Sequence, residues 1–186
     1  MIEVPVALLV AEWLLLLGLG AMVLLMYRQL AYLLGLSRAV SGGGGLKVGE
    51  QVPGFEYTAA SADGGGEERR AFSPQGAQTV LMFTSPTCGS CQVALRNLEE
   101  VTRELRGNGL RVLVVTDAEP QVIQAVEAFR ESPIPVARVT DDVPTRLFRT
   151  HTTPFLYAIG DDGQVRGAQE AVTAEQVREI VRKLQE

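Results

Sequence analysis

The length, composition and charge of the chain already limit the kind of protein it can be. Its 186 residues are enough for one ordinary domain with a buried core and a further segment. The 17 Lys and Arg residues stand against 22 Asp and Glu, for a formal net charge of -5. This charge offers no general attraction for nucleic acid, and no basic cluster with interleaved aromatic residues occurs. We therefore expect no nucleic-acid partner.

The first predicted element is an apolar helix at the amino terminus. Residues 4–27 are almost all apolar, and a helix of that length would extend roughly 36 Å, enough to cross a bilayer. Glu12 is the one charged residue within this stretch, and placing its carboxylate inside the hydrocarbon core would cost free energy. No Lys or Arg precedes it, which favours a retained single-pass anchor over a cleaved signal peptide. Arg28, Arg38 and Lys47 follow it, and by the positive-inside rule they would place the rest of the chain in the cytoplasm.

Composition divides the chain into three predicted parts. Residues 1–37 are the transmembrane anchor with a juxtamembrane segment, residues 38–46 a glycine-rich linker, and residues 47–186 the folded domain. Gly64–Gly66 predict the loop of a hairpin, and Gly107–Gly109 the end of a helix. The predicted strands are residues 55–58, 69–72, 79–83, 110–115, 134–139, 155–159 and 164–167. The predicted helices of the domain are residues 88–105, 120–129, 143–149 and 174–184.

The only two cysteines lie where an apolar strand, residues 79–83, passes into a stretch with helical periodicity. At a helix N-terminus the Cys88 thiol would meet free backbone N–H groups and the positive end of the helix dipole, which favour the thiolate. With Cys91 one helical turn further on, a second thiol can resolve a mixed disulfide formed at Cys88. The spacing therefore predicts a two-electron redox pair. A structural disulfide would close too short a loop to stabilise the fold much, and structural zinc usually needs four Cys or His ligands.

The order of the predicted elements indicates the fold class. Strand 79–83, the helix that begins near Cys88 and strand 110–115 form one βαβ unit with parallel strands. Residues 134–139 predict a short strand, or an edge strand because of Pro135. A hairpin precedes these elements, and a second hairpin and a helix capped by Thr173 follow them. This order predicts an α/β domain with a mixed sheet flanked by helices.

Two separated motifs make the domain resemble the thioredoxin superfamily. They are the cysteine pair at a strand-to-helix junction and Thr152-Thr153-Pro154 before a later strand. Residues 49–55 and 158–163 are similar to the membrane-anchored TlpA-like branch of that superfamily. Residues 26–30 and 83–88 are similar to the MauD family of methylamine-utilization accessory proteins. The resemblance implies a thioredoxin-like domain preceded by one transmembrane helix.

The resemblance also implies roles for four residues. Cys88 would be the attacking cysteine and Cys91 the resolving one. Pro154 would be a cis proline facing them, and Thr153 would offer backbone hydrogen bonds to a substrate strand. The implied activity is that of a membrane-anchored thiol-disulfide oxidoreductase with protein clients, no cofactor or metal, and an unnamed redox partner. The resemblance implies a periplasmic domain, whereas the basic residues after the apolar segment indicate a cytoplasmic one. It also implies a methylamine dehydrogenase-like protein as one client.

Two other functions stay open from the residues themselves. Both thiolates and His151 could hold Cu(I), as in a copper chaperone on the same fold. The spacing in the sequence does not by itself place His151 beside the cysteine sulfurs. The other function is a tethered assembly factor whose cysteines have no redox role. Gly89-Ser90 between the cysteines, and Met82 where thioredoxins often carry a buried acid, depart from the family pattern. Asp117, after a predicted strand, is interpreted as the cap of the next helix.

Overall fold

The computed structural model of the chain describes residues 6–41, 44–60, 67–105 and 109–185. Its contacts divide into two compact units, Met1–Gly43 and Gly44–Glu186. Some predicted features lie outside the described residues. They are positions 4 and 5 of the apolar segment, Gly42 and Gly43 of the linker, the hairpin loop at Gly64–Gly66, and Gly107 and Asn108 after the first helix of the domain.

The first unit contains helix α1, which runs over Val6–Ser41. Its described side chains, at Val10 and from Glu12 to Arg28, are exposed. In the described part of the chain, no helix combines the length and the apolar character needed to cross a membrane. The structure therefore shows the predicted helix but not the predicted membrane span over residues 4–27. The helix also continues through residues 38–41, which the sequence had predicted as linker.

The described residues of the second unit form one sheet of seven strands. The strands are β1 (Phe55–Ala60), β2 (Glu67–Phe72), β3 (Thr79–Phe83), β4 (Arg111–Thr116), β5 (Val136–Arg138), β6 (Phe155–Ile159) and β7 (Val165–Glu170). Their order across the sheet is β2-β1-β5-β4-β3-β6-β7. β3, β4 and β5 are parallel, and the other neighbouring pairs are antiparallel. The predicted mixed sheet is confirmed.

The two faces of the sheet have separate cores. The helices of this unit are α2 (Gly89–Glu104), α3 (Pro120–Ala125), α4 (Glu127–Arg130) and α5 (Ala174–Arg182). Val80 and Met82 of β3 face the core formed with α2, α4 and α5. Leu81 and Phe83, which alternate with them, face a second core that contains Phe148 and other aromatic side chains. Because β3 is covered on both faces, all of its residues are buried.

Three predicted elements differ in the structure. The helix predicted over residues 120–129 is broken at Val126, whose backbone is extended (φ -103°, ψ 113°) between α3 and α4. β5 is the predicted short strand, but it lies between β1 and β4, so the alternative of an edge strand is wrong. Pro135 falls just before Val136–Arg138 and removes no donor from the ladder, which is why an internal strand tolerates it. The short helix predicted next is a single π-helical turn, Val143–Leu147.

The last residues of the predicted linker belong to the folded unit. Leu46 is 7% exposed, and its backbone N–H donates to the Tyr157 hydroxyl over 3.2 Å. Gly45 has a positive φ of 130°, and a Cβ at this position would lie 2.6 Å from the Tyr157 hydroxyl. Only glycine fits this backbone and this space. The folded unit therefore begins before residue 47, the predicted boundary.

Candidate active site

The end of a buried strand places Cys88. After β3 the chain turns, and the backbone N–H of Cys88 donates to the Ser85 carbonyl over 3.1 Å. Cys88 is the N-cap of α2, with an extended backbone (φ -93°, ψ 115°). Because a cap residue stands just ahead of the first helical turn, its side chain can meet the free N–H groups of that turn. The predicted strand-to-helix junction at Cys88 is confirmed.

Three groups surround the Cys88 sulfur. The backbone N–H of Cys91 donates to it over 3.3 Å, and the Ser90 hydroxyl lies 3.0 Å away. The thiol itself lies 3.8 Å from the Thr153 carbonyl oxygen. Partial burial raises the pKa of Cys88, but the hydrogen bonds from Cys91 and Ser90 together outweigh it, so this pKa lies below that of an ordinary thiol. Cys88 therefore has the thiolate character of a nucleophile.

Cys91 lies one turn away in a different environment. Its side chain is 0% exposed and belongs to the core beneath α2. Burial raises the pKa of Cys91, and the hydrogen bond shared with Cys88 raises it further. Both cysteines are free thiols. A half-buried thiol of lowered pKa followed by a buried thiol of raised pKa is the asymmetry needed for an attacking and a resolving cysteine.

Strand β6 brings a distant segment to the cysteines. Phe155 pairs with Phe83 in the antiparallel ladder, so Pro154 lies level with the end of β3. The Thr153–Pro154 peptide bond is cis, as the resemblance implied. Thr153 is exposed, and in the described part of the chain no backbone–backbone hydrogen bond outside the helices and strands uses its N–H or C=O. Its backbone can therefore pair with an extended peptide beside Cys88.

Ser90 contacts the reactive sulfur, although the sequence did not assign it this role. We expect Ser90→Ala to raise the pKa of Cys88, because the thiolate then loses one hydrogen-bond donor. Below that pKa, alkylation of Cys88 by iodoacetamide should slow by about threefold. At a pH high enough to ionise the thiol in both proteins, the two rates should be equal. The pH profile of alkylation, followed by mass spectrometry, measures both effects.

Ser85→Ala is the matched control for this substitution. The Ser85 hydroxyl contacts the Thr87 hydroxyl over 3.1 Å, so its removal takes no donor from Cys88. The control should therefore keep the wild-type pH profile. If Ser90→Ala also keeps that profile, the 3.0 Å contact to Cys88 does not stabilise the thiolate.

Two residues that the sequence singled out do not join the cysteines. His151 is exposed, and among the described residues no group of three or more His, Cys, Asp and Glu could hold a metal ion. His151 therefore does not complete a three-ligand copper site with the two thiols. Asp117 is also exposed, and α3 begins at Pro120 without a side-chain cap. The predicted capping role of Asp117 is wrong.

The position of the buried acid found in many thioredoxins is apolar here. Met82 is 0% exposed and packs in the same core as Cys91. The hydroxyl of Thr84, a residue that is 3% exposed, has no hydrogen-bond partner among the described residues. Burial is the largest influence on the neighbouring Cys91 and raises the pKa of that thiol. Thr84 is thus a polar side chain at the resolving cysteine that the sequence analysis missed, because a lone Thr after a strand has no distinctive pattern.

Comparison with known proteins identifies a family. A model of the AhpC/TSA family matches residues 48–168, which is more than half of the chain and includes both cysteines and Pro154. A search of curated proteins finds no match to the sequence.

Solved structures share the fold. The thioredoxin domain of a thiol-disulfide oxidoreductase from Bacteroides vulgatus has a TM-score of 0.61 and 14% identity, covering 75% of this chain and 99% of that one. A provisionally assigned thiol:disulfide interchange protein DsbE from Chlorobium tepidum has a TM-score of 0.59 and 18% identity, covering 75% and 96%. A peroxiredoxin-like protein from Aquifex aeolicus has a TM-score of 0.54 and 17% identity, covering 75% and 90%. At these identities the likeness shows the fold, and the predicted thioredoxin-like architecture is confirmed.

Proposed function

The chain belongs to the AhpC/TSA family of thioredoxin-fold redox enzymes, and from this membership we propose that it exchanges disulfides with client proteins. The observation that carries the proposal is the contrast between the two sulfurs. Cys88 is half-buried with a lowered pKa, and Cys91 is buried with a raised pKa. The open backbone of Thr153 supports it further, because a client strand bound there would hold its disulfide beside Cys88.

The proposed exchange has two steps. The Cys88 thiolate attacks one sulfur of a client disulfide, so that a Cys88–client bond forms and the other client sulfur leaves as a thiolate. Cys91 then loses its proton to solvent and attacks the Cys88 sulfur, which forms the Cys88–Cys91 disulfide and releases the second client sulfur. The protein is oxidised by two electrons and the client is reduced by two. A separate thiol-disulfide partner returns the protein to its starting state, and the reverse steps would oxidise a client dithiol.

A finer part of the proposal concerns the client. The similarity of residues 26–30 and 83–88 to the MauD family, and of other stretches to the TlpA-like branch, supports an extracytoplasmic client. A disulfide-rich subunit of a methylamine dehydrogenase-like enzyme fits this class. The basic residues after the apolar segment oppose this location. Identification of the clients that remain disulfide-bonded to a Cys91→Ser protein distinguishes an extracytoplasmic location from a cytoplasmic one.

Peroxide reduction is the competing activity, because the family and one of the fold neighbours also point to peroxidases. We expect the reduced protein to react with a disulfide-bonded peptide at least about tenfold faster than free glutathione does at neutral pH, owing to the lowered pKa of Cys88. Its reaction with hydrogen peroxide should show no comparable gain over glutathione. Stopped-flow kinetics with both oxidants, at equal thiol concentration, makes the comparison. A gain with peroxide alone would replace the proposed function with a peroxidase.

A further inference from the structure

Tyr157 is a buried residue to which the proposed function gives no role. It lies in the middle of β6 and is 0% exposed. Its hydroxyl donates to the Phe148 carbonyl over 3.1 Å and accepts from the Leu46 backbone N–H over 3.2 Å. It also lies 2.6 Å from the Thr150 hydroxyl. The Thr150 hydroxyl also donates to the Phe148 carbonyl over 3.3 Å, so the two hydroxyls and this carbonyl form one buried hydrogen-bond network.

The three partners of this hydroxyl come from two other segments of the chain. Leu46 belongs to the segment where the folded unit begins. Phe148 and Thr150 belong to the loop of residues 148–154, which ends in the cis Thr153–Pro154 bond. All three partners are buried, at 7%, 0% and 3% exposure. The hydroxyl therefore ties the loop and the first segment of the domain to the rigid strand β6.

The loop depends on such side-chain bonds, because its backbone is bonded only at its base. Among the described residues, its backbone–backbone hydrogen bonds outside helices and strands are those of the Phe148 and Thr150 N–H groups, which donate to the π-helical turn before it. Arg149 has a positive φ of 55°, and its guanidinium pairs with Glu50. The first segment of the domain therefore contacts the base of the loop directly through Glu50, and indirectly through Leu46, whose N–H donates to the Tyr157 hydroxyl.

We propose that Tyr157 is a positioning residue that sets where Thr153 and Pro154 stand relative to Cys88. This inference rests on the proposed function. Tyr157 touches neither sulfur, and it acts by fixing the base of a loop whose far end carries the Thr153 carbonyl, 3.8 Å from the Cys88 sulfur. A client strand that pairs with Thr153 binds well only if this end of the loop is held in place. Loss of the hydroxyl should weaken client binding and leave the intrinsic reactivity of Cys88 intact.

Tyr157→Phe tests the proposal, because it keeps the ring and removes only the hydroxyl. With a disulfide-bonded peptide as substrate, we expect KM to rise by about fivefold, because the loss of roughly one hydrogen bond changes a binding constant by about that factor. The value of kcat should stay within about twofold of wild type. The pH profile of Cys88 alkylation should not change. Thr150→Val, which removes one partner of the same hydroxyl and keeps the side-chain shape, should raise KM in the same direction.

Val177→Ala is the control for a general loss of stability. Val177 is 0% exposed and lies in the core on the other face of the sheet. A merely destabilised protein loses active molecules, which lowers kcat and leaves KM unchanged. Wild-type KM in both Tyr157→Phe and Thr150→Val would overturn the positioning role, even if disulfide exchange itself proceeds normally.

Amide hydrogen exchange gives a second readout that needs no activity. In Tyr157→Phe the backbone amides of Leu46, Phe148 and Thr150, which are hydrogen-bonded in the wild type, should exchange several-fold faster, while Val177→Ala leaves them unchanged. Faster exchange supports the positioning role, and unchanged exchange overturns it. If the wild-type protein exchanges no disulfides, the proposed function fails, and this measurement still decides whether Tyr157 holds the loop.

Discussion

Replacing Cys88 by serine will abolish disulfide exchange, whereas replacing Cys91 by serine will leave a protein that remains covalently joined to its clients. The first substitution removes the nucleophile of lowered pKa, and we expect the rate to fall on the order of a thousandfold or more. The second removes the thiol that resolves the mixed disulfide, so the Cys88–client bond persists. Non-reducing electrophoresis and mass spectrometry of the adducts measure both results.

The pH dependence of capture follows from the lowered pKa of Cys88. The pKa of this thiol lies below its ordinary value, so a larger fraction is thiolate at neutral pH than in an ordinary cysteine, and capture by the Cys91→Ser protein should be correspondingly faster there. As the pH falls through the pKa of Cys88, the thiol becomes protonated and the rate of capture should fall in proportion. The burial of Cys91 raises its pKa, but this does not affect capture, because the serine variant lacks that thiol.

The doubly substituted Cys88→Ser, Cys91→Ser protein is the control for capture, since it has no thiol and should form no adduct. If the Cys91→Ser protein captures nothing in cells, exchange with protein clients is not its function. Captured extracytoplasmic subunits would support the finer proposal about the client, and captured cytoplasmic proteins would contradict it. Full function of the doubly substituted protein in the organism would indicate an assembly factor that does not use its cysteines.

Phe148→Ala will cause a large loss of stability, about 3–5 kcal/mol in the free energy of unfolding. Phe148 is 0% exposed, and its ring lies 4.8 Å from that of Phe83, 5.3 Å from that of Tyr157 and 5.6 Å from that of Phe55. Alanine would leave a cavity among these rings, and the sheet beneath them can relax only in part. Urea denaturation followed by circular dichroism gives the change in free energy.

The neighbouring residue provides the control for this substitution. Leu147 is 38% exposed, so Leu147→Ala removes a large apolar side chain from the adjacent position without emptying the core. We expect it to cost less than about 1 kcal/mol. Equal losses in the two variants would contradict the packing of Phe148 among the three rings.

The sequence was most informative where structure follows from near neighbours. The apolar run of β3, the cysteine spacing and the capping residue of α5 each act within a few positions of the chain. Thr173 accepts from the Gln176 N–H, and the Gln176 side chain accepts in return from the Thr173 N–H. These two bonds form a capping box and confirm Thr173 as the predicted N-cap. Such local features were confirmed because little else competes with them.

The edge-strand alternative for β5 failed because it rested on one residue type, whereas strand pairing decides which strands lie at an edge. Pro135 suggested an edge strand, yet β5 pairs with β4 through Val114 and Val136, and with β1 through Thr58 and Arg138. The order of strands in a sheet depends on which faces must be buried, and this is a property of the whole domain. A stretch of six residues does not contain that information.

Taken alone, the sequence determined the chemistry of the site: two thiols one helical turn apart, at the start of a helix, in a family of redox proteins. Only the tertiary structure decided which groups from distant parts of the chain lie close to those thiols. It brings the Thr153 carbonyl, 65 residues away in the chain, to 3.8 Å from the Cys88 sulfur, and it joins Leu46 to Tyr157 across 111 residues. The reason is physical: helix starts and thiol spacing are set by local geometry, whereas contacts between distant residues exist only after the sheet has fixed the positions of its strands.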